Sequence, residues 1–192
     1  MKKMILAILG ACLFLVYDII ALAGGIGLIS QIPMIVIYAL EITIAIGFLL
    51  IGLGFHELDS EYNQPQCRIA FFGFILASVL ELIRVLPQLV EYDIWFYFIS
   101  NLVVPWLGAI AFFNLRSEGT VLLVLTSIVL LIGPVLDLLA YLVYSGGLIP
   151  YVNFASVLVI RSIGRIPMWV LVGAAFAWFY RKNQLIQSAV TN

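Results

Sequence analysis

Residues 69–87 read IAFFGFILASVLELIRVLP, an apolar run closed by a carboxylate, Glu81, and a guanidinium, Arg84, three residues apart. The run approaches the roughly 20 mainly apolar residues that carry a helix through hydrocarbon, where a backbone satisfies its hydrogen bonds only as a helix or a closed barrel. Its hydrophobicity is continuous, whereas a barrel strand alternates. The stretch therefore reads as a membrane-spanning helix with two charges inside it.

The rest of the chain repeats this pattern. Of 192 residues 65% are hydrophobic and 10% charged, against roughly 25% charged in soluble domains, and the mean hydropathy is +1.20. Six spans are expected, at residues 4–29, 33–55, 69–90, 95–115, 120–145 and 151–180. The connections are Ser30-Gln31-Ile32, the polar segment His56 to Arg68, Glu91-Tyr92-Asp93, Arg116 to Gly119, and Ser145 to Pro150. The fold class is an all-α integral membrane protein, one transmembrane domain over the whole chain, with the lipid bilayer as its solvent.

Lys2-Lys3 before the first run, with Ala21-Leu22-Ala23 after it, resembles a signal peptide, and Leu9-Gly10-Ala11-Cys12 resembles a lipoprotein box. The run is too long for a signal h-region and shares in the internal repeat below, so it is read as a span. Six of the nine Lys and Arg residues, Lys2, Lys3, Arg68, Arg116, Arg181 and Lys182, fall at the termini or in the second and fourth connections. None falls in the first, third or fifth. The positive-inside rule then places both termini in the cytoplasm, and the plasma membrane is the expected location.

The chain also echoes itself. Residues 15–33, LVYDIIALAGGIGLISQIP, and 134–150, PVLDLLAYLVYSGGLIP, share an Asp, an Ala three residues on, a Gly pair and a closing Pro. Glu81 takes the place of Asp18 and Asp137 in the middle of the chain. Three successive helix hairpins in parallel repeat are the expectation, against the reading that short turns simply select Gly and Pro.

Seven ionisable residues remain inside expected spans: Asp18, Glu41, Glu81, Arg84, Asp137, Arg161 and Arg165. Counted from the helix ends at about 1.5 Å per residue, all lie between the bilayer middle and its outer third, and Asn101 falls at the same depth. Each charge costs about 2.5–3.5 kcal/mol at the bilayer centre on insertion scales, so they face inward. Helical spacing agrees: Glu81 with Arg84, Arg161 with Arg165, and Asp137 with Tyr141 share faces. These groups are expected to form one network about the bundle axis.

Two functions suit such a layer. In the first it binds or passes a small polar or charged solute, an ion or protons, with Arg161 and Arg165 as anion contacts and Asp18, Glu81 and Asp137 as cation or proton sites. In the second it registers helices in an accessory subunit of a larger membrane complex or in a membrane sensor, contacting other membrane subunits. Buried ion pairs are an expensive way to register helices, which favours the first. The repeats run parallel, however, where alternating access more often uses inverted ones.

An enzyme is the weakest of the readings. The chain has no HExxH, GxSxG or Walker motif, and only an intramembrane mechanism using Asp18 and Asp137 stays open. Cys12 and Cys67 lack metal or redox spacing and His56 is the single histidine, so no metal, cofactor or disulfide is expected. A net charge of −1 offers no basic surface for nucleic acid.

Overall fold

The computed structural model describes residues 2–28, 34–84, 96, 98–119, 121–145 and 154–191, and every regular element among them is helical. The helices are α1 (Lys2–Gly25), α2 (Met34–Tyr62), α3 (Pro65–Arg84), α4 (Ile99–Asn114), α5 (Arg116–Gly119, a single turn), α6 (Val121–Ser145) and α7 (Phe154–Thr191). Five of them, α1, α2, α3, α6 and α7, are long and apolar enough to cross a membrane. That is the signature of an integral membrane protein of helical class.

α4 is shorter. It opens as a π-helical turn, Ile99–Val103, closed by the Val104 N–H on the Ile99 carbonyl, and continues as Val104–Asn114. Pro105 has no N–H to offer the turn before it, which favours the wider hydrogen-bonding pattern. At about 1.5 Å per residue the described helix covers about 24 Å, short of a hydrocarbon core of about 30 Å. Residues 95 and 97 of this expected span lie outside the described residues, as do residues 85–90 of the third span.

Two expected boundaries are corrected. The segment His56 to Arg68 was read as a loop because it is polar, yet α2 continues through it to Tyr62 and α3 begins at Pro65. Phe55 and Leu58 stay fully buried along this extension, and Glu57 accepts the Met4 backbone N–H of α1 at 2.8 Å. Glu57 thus satisfies a donor that the first turn of α1 cannot pair internally. The real connection is Asn63-Gln64. Asn63 adopts φ 48°, a left-handed conformation that asparagine tolerates, and its N–H bonds the Asp59 carbonyl at 2.8 Å.

The last helix was expected to stop at residue 180 but runs to Thr191. No Gly or Pro follows Pro167 except Gly173, so nothing in RKNQLIQSAVT breaks the helix, and Gln184 bonds Tyr180 one turn back. At 38 residues it is about 57 Å long and projects beyond any bilayer it crosses.

The helices pack in chain order, and α7 closes onto α1. Neighbours are antiparallel. Gly10 lies against Gly47 in α1/α2, Gly73 against Leu107 in α3/α4, and Ala11 against Gly173 in α1/α7. Trp106 donates to the Leu131 carbonyl at 3.1 Å and ties α4 to α6. Inside the ring sits an aromatic core. Trp169 stacks on Phe14 at 4.0 Å, Phe55 meets Phe112 at 5.0 Å and Phe176 at 5.3 Å, and Phe48 meets Phe74 at 5.9 Å.

The two ends of the bundle differ. At the end carrying Lys2, ion pairs join Arg68 to Asp59 at 2.9 Å and Lys182 to Glu118 at 2.8 Å, and Lys3 lies 3.2 Å from His56. The seven span charges lie beyond the aromatic core, toward the end carrying Gly25.

Candidate functional site

The layer is built from the last turns of α1 and α3, the first turns of α2, α4 and α7, and the second half of α6. It forms two groups of direct contacts rather than the single network expected.

The first group joins α2, α3 and α4. Glu81 is fully buried, and its Oε2 accepts from Arg84 Nη1 at 2.7 Å. Its Oε1 lies 2.6 Å from Ser100 Oγ and 3.5 Å from Asn101 Nδ2, both in the π-helical turn of α4. The Ser100 hydroxyl also reaches the Phe96 carbonyl at 2.6 Å, so its one proton serves either acceptor while Asn101 supports Oε1. Arg84 Nη1 lies 4.0 Å from Glu41 Oε2. Both Glu81 oxygens therefore face donors, and the group binds three helices together.

The second group joins α1, α6 and α7. Arg161 Nε donates to Asp137 Oδ1 at 2.5 Å. Arg165 is spread over two acids, with Nη1 3.7 Å from Asp137 Oδ2 and Nε 3.5 Å from Asp18 Oδ1. Its guanidinium also lies 5.8 Å from the Tyr17 ring centre. Asp18, Asp137 and Arg165 are all at least 97% buried.

This second group is not hydrogen-bond saturated. Asp18 Oδ2, Ser162 Oγ and Trp169 Nε1 are buried without a hydrogen-bond partner among the described residues. All three belong to the α1/α7 interface, because Ser162, Arg165 and Trp169 lie on one side of α7, at steps of three and four residues. Trp169 is close enough to Asp18 to bear on its charge, yet neither its N–H nor Asp18 Oδ2 completes a bond. Tyr17 lies within electrostatic reach of Arg161, Arg165, Asp18 and Glu41, and so stands near both groups.

Eight of the nine residues singled out in the sequence take part in these two groups. Tyr141 lies on α6, but its side chain falls outside the described residues. Three participants were missed: Ser100, Ser162 and Trp169. Their signal was positional, since Ser100 adjoins Asn101, Ser162 follows Arg161, and Trp169 lies one turn beyond Arg165.

Comparison with known proteins adds nothing to this geometry, since no family model, no curated protein and no solved structure matches the chain.

Proposed function

We propose that this is a six-span plasma-membrane protein with cytoplasmic termini, whose polar layer binds and passes a small polar or charged solute, or protons, from the outer side. The six Lys and Arg residues at the Lys2 end support that orientation by the positive-inside rule. Phe96 and Phe98, helical on the far side of Ile99, support a fourth span longer than its continuous described part. One observation carries the functional reading. Within one layer both oxygens of Glu81 face donors, while Asp18 Oδ2, Ser162 Oγ and Trp169 Nε1 are buried without a hydrogen-bond partner among the described residues. Buried polar groups are ordinarily satisfied, and open ones mark a place for water or a ligand.

The aromatic core bounds the site. Rings of Phe14, Phe48 and Trp169 fill the bundle next to the charged layer, so a solute reaching Asp18 arrives from the Gly25 end. A second reading has support of its own. The short direct pairs Arg84–Glu81 and Arg161–Asp137 suit an accessory subunit whose charges only register helices.

Thermal unfolding separates the two readings. A ligand at one hundred times its Kd stabilises by about 2.7 kcal/mol. Purified protein is screened with small monovalent cations, amines, zwitterions and carboxylates. The transport reading predicts that one chemical class raises Tm in the wild type and not in Asp18→Asn. A flat response to every class, in both proteins, supports the accessory subunit.

A further inference from the structure

The layer contains four acids, Asp18, Glu41, Glu81 and Asp137, against three arginines, Arg84, Arg161 and Arg165. All nine cationic side chains of the protein fall among the described residues, and the other six lie at the Lys2 end. No further Lys or Arg of this chain exists to balance the fourth acid. An unbalanced charge in hydrocarbon is relieved by neutralisation or by a counter-ion, because burying it alone is the costliest arrangement available.

The contacts indicate which acid is left over. Glu81 faces donors on both oxygens. Asp137 takes the shortest pair, with Arg161. Glu41 pairs with Arg84 at 4.0 Å and keeps about a quarter of its side chain exposed. Among the described residues Asp18 has one ion-pair partner, Arg165 Nε at 3.5 Å, and an Oδ2 that completes no hydrogen bond although Trp169 lies beside the carboxylate, on a side chain only 2% exposed.

We infer that the layer holds one exchangeable monocation, a proton or a small alkali ion, at Asp18 Oδ2. This rests on reading the layer as a site, and it makes the ligand class cationic. The charged and titratable groups facing the seat are Arg161 and Arg165 from α7, Asp137 from α6, Glu41 from α2 by way of Tyr17, and Tyr17 from α1 itself. Trp169 Nε1 offers a donor beside it, suited to the oxygen of a water that accompanies the cation. Occupation by a proton forms one O–H bond on Oδ2 and removes one negative charge. Occupation by an alkali ion neutralises the same charge with no bond to hydrogen.

Infrared spectroscopy of the purified full chain in lipid nanodiscs tests this, since a protonated carboxyl gives a C=O stretch distinct from that of a carboxylate. In neutral buffer whose only bulk cation is N-methyl-glucamine, the wild type is expected to show the protonated band. Asp18→Asn should abolish it, and Glu41→Gln should keep it. Sodium that bleaches the band identifies an alkali ion competing for the seat; a band indifferent to sodium identifies the proton alone. A missing band in wild type, or one lost in Glu41→Gln and kept in Asp18→Asn, overturns the inference. The screen with zwitterions and carboxylates stands apart, so failure here leaves the broader binding reading testable. Because Asp18→Asn removes the surplus charge at constant shape, its Tm should equal or exceed that of the wild type.

Discussion

Asp137→Asn is expected to destabilise the protein by about 3–5 kcal/mol, the penalty for removing one member of a buried ion pair. Asp137 holds Arg161 at 2.5 Å and shares Arg165 at 3.7 Å. Neutralising it removes the acid that both guanidinium groups share in the α1/α6/α7 interface. Asparagine keeps the shape, so the loss is electrostatic and not a cavity. The double variant Asp137→Asn/Arg161→Gln should recover much of the loss, since it removes both charges together. Unfolding in mixed micelles measures both. A loss in the single variant below about 1 kcal/mol, typical of a solvated surface pair, would contradict the pairing described here.

The second large effect is steric and concerns α1 against α2. A Cβ on Gly10 would stand 2.8 Å from the Gly47 carbonyl oxygen, 3.0 Å from Leu50 Cβ and 3.1 Å from Ile51 Cγ1. A backbone carbonyl cannot rotate aside as a side-chain tip can, so the two helices must separate. Gly10→Ala should cost about 1–3 kcal/mol, the usual range for overpacking, and Gly10→Val more. Gly173→Ala is the control on the opposite flank of α1. Its Cβ would meet only Ala11 Cβ, at 3.4 Å, an ordinary contact, and its stability should be unchanged. Equal tolerance at both glycines would mean that α1 and α2 are not in close backbone contact.

Depth along each helix was legible in the sequence, because a rise of about 1.5 Å per residue converts residue number into height. That is why Asp18, Glu41, Glu81, Arg84, Asn101, Asp137, Arg161 and Arg165 could be placed in one layer before any fold was known. Which arginine meets which acid was not legible. It depends on the order of helices around the ring, and the closure of α7 on α1 that brings Arg165 to Asp18 leaves no mark on either helix alone. Polarity misled at two boundaries. His56 to Tyr62 looks like a loop, but its Glu57 serves the first turn of α1 and its apolar face continues the core. Residues 181–191 look like a tail, yet contain no helix breaker. The missed participants, Ser100, Ser162 and Trp169, carry no formal charge, so a search for costly residues in hydrocarbon passed over them.

If the open half of the layer is a site reached from the side opposite the termini, as proposed, a thiol at position 162 reports it. Ser162 is buried, uncharged and unpaired among the described residues, one turn from Arg165 toward the Gly25 end. Cys12 and Cys67 are replaced by alanine, Ser162→Cys is introduced, and a small membrane-impermeant cationic thiol reagent is applied to one face of sealed vesicles of known orientation. Modification is expected from the outer face only, slowed when Asp18 is occupied by the cation that competes for its carboxylate. A thiol that stays unreactive from both faces until the protein is unfolded, or that reacts only from the face bearing the termini, would contradict it.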